Sequence, residues 1–429
     1  MRYKKINPKL FIENRKHFTA KMEKNSIAIF FSNDEQPKIG DQFFDFKQSS
    51  DFFYLTGISQ EKTVLFLFPD SPLEEYKEVL FTLKTNEHIA IWEGHKFTQE
   101  EATEISGIKT VKWLDEQGFI LNQLMAYAHN CYLNRYEYPK YHSEVESRES
   151  RLNAELRKQF PEHHYKRSAP ILNDLRLIKS DLEIELIKEA CAITNKAFRR
   201  TLKFIRPGVT EFEIQAEIDH EFTINRSEGH AYSPIIASGK NACVLHYIDN
   251  HEICEDGDLL LFDFGAEYAR YASDMSRTIP VNGKFTERQK AVYNAVLRTQ
   301  KTLIASMTVG TRLKDLEELA KELTEKELIE LGLYSPEDKA KEKEPHDLLK
   351  KYFMHGISHH MGLDVHDVGD RLRPLTEGMV LTCEPGIYIK DENIGIRLEN
   401  DILITKDGPV NLMADIPIEV DDIEGLMER

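Results

Sequence analysis

The sequence contains little cysteine and no apolar run long enough to cross a membrane. Its five cysteines are scattered over 429 residues, their number is odd, and none forms a CxxC pair. This usage is typical of free thiols in a reducing compartment, so we expect a cytoplasmic location and no zinc–thiolate site. No apolar run approaches the ~20 residues of a bilayer span, and the N-terminus MRYKKINPKLF lacks the apolar core of a signal peptide.

Positive charge is also scarce. The chain has 56 lysines and arginines against 73 aspartates and glutamates, which gives a formal net charge of −17. Because binding to phosphate backbones requires clustered basic residues, we predict neither nucleic acid nor a membrane surface as a partner. An acidic balance is compatible with divalent cations.

The length of the chain predicts two domains, because 429 residues exceed one ordinary core. Residues 1–172 alternate strand-like runs such as NSIAIFFSN and KTVLFLFPD with polar, helix-like segments, which predicts an α/β domain. We interpret YKRSAPILNDLRLIKS as the linker to a second domain, residues 173–429.

The second domain begins with strong helix signals. Three pairs of residues fit the capping box, in which a Ser or Thr and a Glu or Gln three positions later satisfy free backbone N–H groups; they are Ser180 with Glu183, Thr210 with Glu213, and Thr286 with Gln289. The order helix, Gly near Thr, helix occurs at Gly208–Thr210 and again at Gly310–Thr311. This repetition indicates an internal duplication.

Two aspartates lie inside otherwise apolar, strand-like segments. Asp263 belongs to LLLFDFGAEY and Asp274 to ARYASDMSRTIPV, which we interpret as the arms of a hairpin. A turn centred on Tyr268–Ala269 would place the two carboxylates directly opposite each other, with Cβ atoms ~4.5–5.5 Å apart.

Two glutamates repeat this arrangement. Glu384 in VLTCEPGIYI and Glu399 in GIRLENDILI flank a polar loop around residues 391–393, and pairing about that loop sets them opposite each other. Cys383 would then point to the other face as a packing residue. A single carboxylate in a strand is usually a turn residue or an ion-pair partner. Four buried anions without cations would cost several kcal/mol each, so the pattern favours a site for two divalent metals.

Four histidines crowd into the segment MHGISHHMGLDVH, next to two glycines. His359 is the candidate metal ligand, and His355 and His366 are candidates for contacting substrate or a developing oxyanion. His360 fits a packing role equally well, since a lone histidine is more often a hydrogen-bonded core residue than a ligand. His246, in CVLHYIDN, is a further candidate for the same cleft.

Five segments, in the order HYIDN, FDFGAEYARYASDMSRTIPVNGKF, MHGISHHMGLDVHDVG, CEPGIYI and GIRLENDI, resemble motifs of the aminopeptidase P branch of the creatinase/methionine aminopeptidase family, peptidase family M24B. SSDFFYLTG and IWEGHKFTQEEA resemble the N-terminal domain of that branch, so the resemblance covers nearly the whole chain. It implies an α+β fold in which a smaller α/β domain precedes a C-terminal pita-bread domain with pseudo-twofold symmetry.

The resemblance also implies roles for individual residues. Asp263 would bind one metal ion, His359 and Glu384 the other, and Asp274 and Glu399 would bridge both. Manganese is the usual metal in bacterial members, and zinc, cobalt or iron would suit the same ligands.

Further roles follow from the same resemblance. Glu384 would also act as general base, and Arg397 would support the carboxylates. His246, His355 and His366 would line the substrate site. Trp92 would reach the active site of a neighbouring subunit in a homodimer or homotetramer.

The implied reaction is hydrolysis of the bond between an N-terminal residue and a penultimate proline, with a metal-bound hydroxide as nucleophile. The nearest alternative is a prolidase, which uses the same metal centre on Xaa-Pro dipeptides; the segment HGISH favours the aminopeptidase. The alternative of another class is a non-catalytic peptide- or protein-binding module, and the five intact ligand positions argue against it.

Overall fold

The computed structural model describes residues 2–140 and 143–428. The chain divides into two compact units. The N-terminal unit is Lys5–Arg176, and the C-terminal unit begins at Leu177 and includes the residues before Lys5. Within the described residues, no helix has both the length and the apolar character of a membrane span.

The described residues of the N-terminal unit form eight strands and seven α-helices. Its strands are β1 Ser26–Phe31, β2 Pro37–Ile39, β3 Gln42–Phe43, β4 Val64–Leu67, β5 Glu78–Thr82, β6 Thr110–Trp113, β7 Asn130–Leu133 and β8 His164–Arg167. Its helices are α1 Lys9–Ala20, α2 Ser50–Thr56, α3 Glu87–Glu93, α4 Gln99–Ser106, α5 Gln117–Met125, α6 Arg148–Gln159 and α7 Ala169–Leu177, the last of which contains the boundary between the units.

Six of these strands form one sheet in the order β6-β5-β4-β1-β7-β8. Strand β4 is antiparallel to its two neighbours, and the other pairs are parallel. The segment YKRSAPILNDLRLIKS, interpreted as a linker, contains the boundary between the two units, but most of it forms β8 and α7. Tyr165 explains part of the difference: its ring packs against the core of the unit, and its hydroxyl donates to the carbonyls of Leu156 and Phe160.

The C-terminal unit contains the remaining elements. Its helices are α8 Asp181–Phe204, α9 Glu211–Ile224, α10 Glu287–Ser306, α11 Leu313–Glu330, α12 Pro336–Lys339 and α13 Val420–Met427. Its strands are β9 Gly229–His230, β10 Ile235–Ser238, β11 Leu259–Phe264, β12 Ala266–Tyr268, β13 Tyr271–Ala272, β14 Met275–Pro280, β15 Val380–Cys383, β16 Gly386–Ile389, β17 Ile394–Arg397, β18 Asn400–Thr405 and β19 Gly408–Asn411.

The three predicted capping boxes are confirmed at the starts of α8, α9 and α10. Each half of the unit contains a pair of consecutive helices followed by strands of a three-stranded antiparallel sheet. The first half has α8, α9 and the sheet β10-β11-β14, and the second has α10, α11 and the sheet β15-β18-β19. This repetition of elements matches the duplication indicated by the sequence.

Candidate metal centre

A cavity of about 290 Å³ in the C-terminal unit gathers nine of the ten predicted site residues. These nine are His246, Asp263, Asp274, His355, His359, His366, Glu384, Arg397 and Glu399. The tenth, Trp92, lies in α3 of the N-terminal unit, where its side chain is 78% exposed. The remaining wall of the cavity includes Tyr232 and apolar side chains such as Leu245 and Ile248.

Asp263 and Asp274 reach the cavity from one antiparallel ladder. Asp263, in β11, pairs with Ser276 of β14, so Asp274 is its diagonal neighbour and not its direct partner. The predicted turn at Tyr268–Ala269 was therefore wrong by one position. The carboxylates still share a face, because the register differs from the predicted one by two residues on the partner strand.

The turn itself explains the error. Ala269 and Arg270 both have a left-handed backbone, with φ of 51° and 70°, a conformation that sequence rules assign to Asn-Gly. A buried ion pair between Arg270 and Glu267 accompanies this turn. Beyond it, a Cβ on Gly265 would lie 1.7 Å from the carbonyl oxygen of Ser273, so the strands approach more closely than a side chain allows.

Tyr232 joins the two aspartates and was missed by the sequence analysis. Its hydroxyl lies 2.6 Å from Oδ1 of Asp263 and 2.6 Å from Oδ1 of Asp274. Burial and the two nearby carboxylates raise the pKa of Tyr232 well above its ordinary value, so it carries one proton between two acceptors. Tyr232 lies in the loop between β9 and β10, where no periodic pattern marks it.

Glu384 and Glu399 lie at breaks between paired strands. The predicted register is confirmed, since Cys383 pairs with Asn400 on one side of the break and Gly386 with Arg397 on the other. The backbone N–H of Glu384 donates to Ile357, and that of Glu399 donates to Ser276. The two carboxylates are thus held by neighbouring segments as well as by their own strands.

Serine and cysteine side chains support this part of the ladder. Ser276 Oγ donates to Glu399 Oε2 at 2.7 Å. Cys383, predicted to pack away from the site, is buried with its sulfur 4.0 Å from the carbonyl oxygen of Gln300 in α10. Asp401, two residues beyond Glu399, accepts from the backbone N–H of Asp274 at 3.1 Å and from the thiol of Cys191 at 3.4 Å.

His359 faces the carboxylates. Its Nε2 lies 3.3 Å from Oδ2 of Asp274 and 3.8 Å from Oε1 of Glu384. Its Nδ1 lies 3.2 Å from the carbonyl oxygen of His360, so Nδ1 is the donor and Nε2 points to the acidic groups. One ligand atom from each of Asp274, His359 and Glu399 lies within 4.8 Å of the others, an arrangement that can hold a metal ion.

His355 belongs to a hydrogen-bonded chain that ends at Asp263. Its Nε2 accepts from the hydroxyl of Tyr388 at 2.8 Å, and its Nδ1 donates to the carbonyl oxygen of Gly356 at 2.8 Å. Arg397 donates to the same Tyr388 hydroxyl at 2.9 Å and to Oδ2 of Asp263 at 2.6 Å. Burial and Arg397 lower the pKa of His355 to about 4, so this imidazole is neutral at pH 7.

His360 differs from the four cavity histidines. It is 4% exposed, and neither ring nitrogen has a hydrogen-bond partner among the described residues. Its ring packs closely against Gly369, since a Cβ atom at that position would lie 2.5 Å from Cδ2 of the ring. The packing role is therefore the one that its position supports.

Burial of the acidic groups dominates the electrostatics of the cavity. It raises the pKa of Glu384 to about 7, against the opposing charges of His359 and Arg397, and it raises the pKa values of Asp274 and Glu399. Burial alone would lower the pKa of His359, but the hydrogen bond to Asp274 and the charge of Glu384 raise it to about 9. The neighbouring acidic groups also raise the pKa of Glu399, and a bound cation would relieve this mutual repulsion.

Comparison with known proteins places this site in a family. Residues 185–406 match the model of metallopeptidase family M24, and residues 11–132 match the aminopeptidase P N-terminal domain. A protein named Xaa-Pro aminopeptidase from Escherichia coli is 34% identical, over 98% of each chain. Xaa-Pro aminopeptidase 3 from Homo sapiens is 30% identical over 94% of this chain and 81% of its own length.

Solved structures agree with these matches. Escherichia coli aminopeptidase P with the inhibitor Pro-Leu superimposes with a TM-score of 0.88 at 33% identity, and the match covers 99% of each chain. A Glu-to-Ala variant of the same enzyme in complex with substrate gives a TM-score of 0.88 at 32% identity, also over 99% of each chain. The expected α+β fold, with an aminopeptidase P N-terminal domain before a pita-bread domain, is therefore confirmed, and the chain belongs to metallopeptidase family M24.

Proposed function

We propose that this protein is an Xaa-Pro aminopeptidase, which hydrolyses the bond between an N-terminal residue and a penultimate proline. The observation that carries the proposal is the convergence of four carboxylates and His359 on one cavity, in a chain whose full-length relatives bear that name. An Xaa-Pro amide has no N–H, so an enzyme that acts on its carbonyl group alone suits this bond. The five free cysteines support a cytoplasmic location.

The donor set fits divalent cations. Four carboxylates share the cavity with one arginine, Arg397, and four histidines, so added positive charge would relieve the repulsion between the carboxylates. Asp263 would hold one ion, His359 and Glu384 the other, and Asp274 and Glu399 would bridge them. Oxygen ligands with one imidazole suit manganese most closely here, and zinc, cobalt or iron as well. When bound, such ions act as Lewis acids toward the scissile carbonyl and lower the pKa of water in the site.

Glu384 would move protons in the proposed reaction. Its Oε1 lies 3.8 Å from His359 and its Oε2 3.8 Å from His355, at the wall of the cavity. It would accept the proton of the attacking water and deliver it to the prolyl nitrogen as the bond breaks. This exchange requires a carboxyl group that can both gain and lose a proton near neutral pH, and the pKa of Glu384 is about 7.

The histidines divide into two groups in this mechanism. His355 uses both ring nitrogens within the protein, and through Tyr388 it orients Arg397 toward Asp263. His246 and His366 line the cavity and would contact the substrate. Trp92 is exposed in the N-terminal unit, so its predicted role requires a second copy of the chain, as in a homodimer or homotetramer.

A comparison of two peptides tests the proposed specificity. We expect kcat/KM for release of arginine from Arg-Pro-Pro to exceed that for cleavage of Gly-Pro by about tenfold or more, a ratio that differential binding can supply. The assay would use manganese-loaded protein, with Arg-Ala-Pro as the control for proline selectivity. Efficient cleavage of Gly-Pro without turnover of Arg-Pro-Pro would identify a prolidase instead. A protein that binds no metal and cleaves neither peptide would be a binding module.

Removal of metal should make the stability of the protein depend on pH. In the metal-free protein, Glu384 keeps its proton up to a pKa of about 7, above its ordinary 4.5, and His359 keeps its proton up to about 9, above its ordinary 6.5. The folded state then binds more protons than the unfolded state between pH 6.5 and 9, so its free energy of unfolding falls as pH rises through this window. The low pKa of His355 has the opposite sign but acts only below pH 6.5.

Thermal unfolding of chelator-treated protein at pH 6.5 and pH 8.5 measures this effect, with manganese-loaded protein as the control. We expect the chelator-treated protein to lose stability at the higher pH and the loaded protein to lose much less. A chelator-treated protein that is more stable at pH 8.5 would contradict the assigned charge balance.

A further inference from the structure

A second cavity, of about 500 Å³, lies in the N-terminal unit and concentrates basic residues. Four basic side chains line it, Arg135, Arg157, Lys166 and Arg167, against one acidic side chain, Glu137. The chain as a whole has 17 more acidic than basic residues, so the charge of this lining is opposite in sign to the net charge of the protein. The cavity contains no residue of the metal centre.

The cavity occupies a position in the fold that favours ligand binding. Strands β7 and β8 are parallel neighbours at one edge of the sheet, and Arg135 and Arg167 lie at their carboxyl ends. Helix α6, which connects the two strands, contributes Arg157. The cavity thus lies outside the carboxyl ends of two parallel strands, which is the side of an open α/β sheet on which ligands bind.

Only part of the positive charge is neutralised by the protein. Arg167 pairs with Glu137, and Lys166 pairs with Glu23 at 2.5 Å. Among residues 2–140 and 143–428, neither Arg135 nor Arg157 forms an ion pair. The guanidinium of Arg157 instead stacks on the ring of Tyr165, 4.5 Å from its centroid. This contact orients its planar donors and leaves its charge uncompensated.

We propose that this cavity binds a small molecule carrying a phosphate or diphosphate group. Guanidinium groups match phosphate oxygens with paired hydrogen bonds, and two unpaired arginines beside two paired basic residues suit a di- or trianion. The volume lies in the range of ~300–1,000 Å³ that is usual for small-molecule sites. A polymeric nucleic acid is a poorer match, because the basic residues line one cavity on an otherwise acidic chain.

Calorimetric titration of the full-length protein with pyrophosphate tests the proposal. The variant Arg135→Glu with Arg157→Glu should bind pyrophosphate at least about tenfold more weakly, because it removes two cationic hydrogen-bond donors and adds two negative charges to the cavity. Lys158→Glu is the matched control, since Lys158 is exposed on the same helix and does not line the cavity. Its affinity should stay within about twofold of the wild type, as is usual for surface changes.

Parallel titrations with ADP and adenosine identify the part of the ligand that is recognised. Binding of ADP without binding of adenosine supports recognition of the phosphates, whether or not a nucleoside is attached. Equal affinity of the double variant and the wild type would place the anion elsewhere, for example at the metal centre, and would overturn the proposal. So would an undetectable interaction of wild-type protein with both pyrophosphate and ADP at millimolar concentration.

Discussion

Asp274→Asn should lower kcat/KM toward an Xaa-Pro tripeptide by at least ~10²–10³-fold, the loss seen when one preorganised electrostatic group is removed. The side chain lies between Tyr232 and His359, with one carboxylate oxygen facing each. Asparagine keeps the shape and removes the charge that would serve both ions. The same variant should also hold fewer metal ions per chain, which elemental analysis of dialysed protein measures.

Two controls make this result interpretable. Asp407→Asn changes an exposed carboxylate in the turn after β18 and should leave both activity and metal content unchanged. The backbone N–H of Asp274 is held by Asp401, so circular dichroism and thermal unfolding should show that Asp274→Asn keeps the fold. Full activity in Asp274→Asn would refute a centre in which this residue bridges two ions.

Lys179→Met should lower the free energy of unfolding by about 3–5 kcal/mol, the cost of leaving one member of a buried ion pair alone. The Nζ of Lys179 lies 3.4 Å from Oδ2 of Asp367, and both side chains are 1% exposed. Asp367 also accepts from the backbone of Val368 and donates its own N–H to the carbonyl of His360. The pair thus anchors the irregular segment that carries the cavity histidines, and denaturant unfolding measures its contribution.

A double variant separates the buried charge from the lost contact. Lys179→Met with Asp367→Asn removes both charges and should recover most of the stability, because no ion is then left unpaired. Lys188→Met, on the exposed surface of α8, is the matched control and should change stability by less than about 0.5 kcal/mol. If Lys179→Met unfolds like the wild type, the segment is anchored by its backbone contacts alone.

The sequence was sufficient where chemistry is local. Each predicted capping box involves residues three positions apart, and all three form. The pairing around Glu384 and Glu399 was also correct, because the polar loop between them leaves one register that keeps both strands apolar on the buried face. These features depend on the spacing of residues along the chain, which can be read from a single sequence.

The errors arose where tertiary contacts overrode local preference. The turn at Ala269–Arg270 has no glycine or asparagine, and a buried ion pair with Glu267 accompanies its left-handed backbone. Tyr232 reaches Asp263 and Asp274 from a loop that is 31 and 42 residues away from them in the chain. Tyr388 links His355 to Arg397 by its hydroxyl group. No spacing rule connects such residues to the site, so their roles became visible only in the folded chain.

The tight turn at Ala269–Arg270 restricts chain length more than residue identity. The two-residue connection between β12 and β13 has no spare residue, so a deletion there would shift the register of this pair and of the adjoining ladder between β11 and β14. A slip of one residue would turn the side chain of Asp274 away from Asp263, although neither turn residue lines the cavity. Many different side chains could therefore occupy this turn, whereas a change in the number of turn residues would separate Asp263 from Asp274.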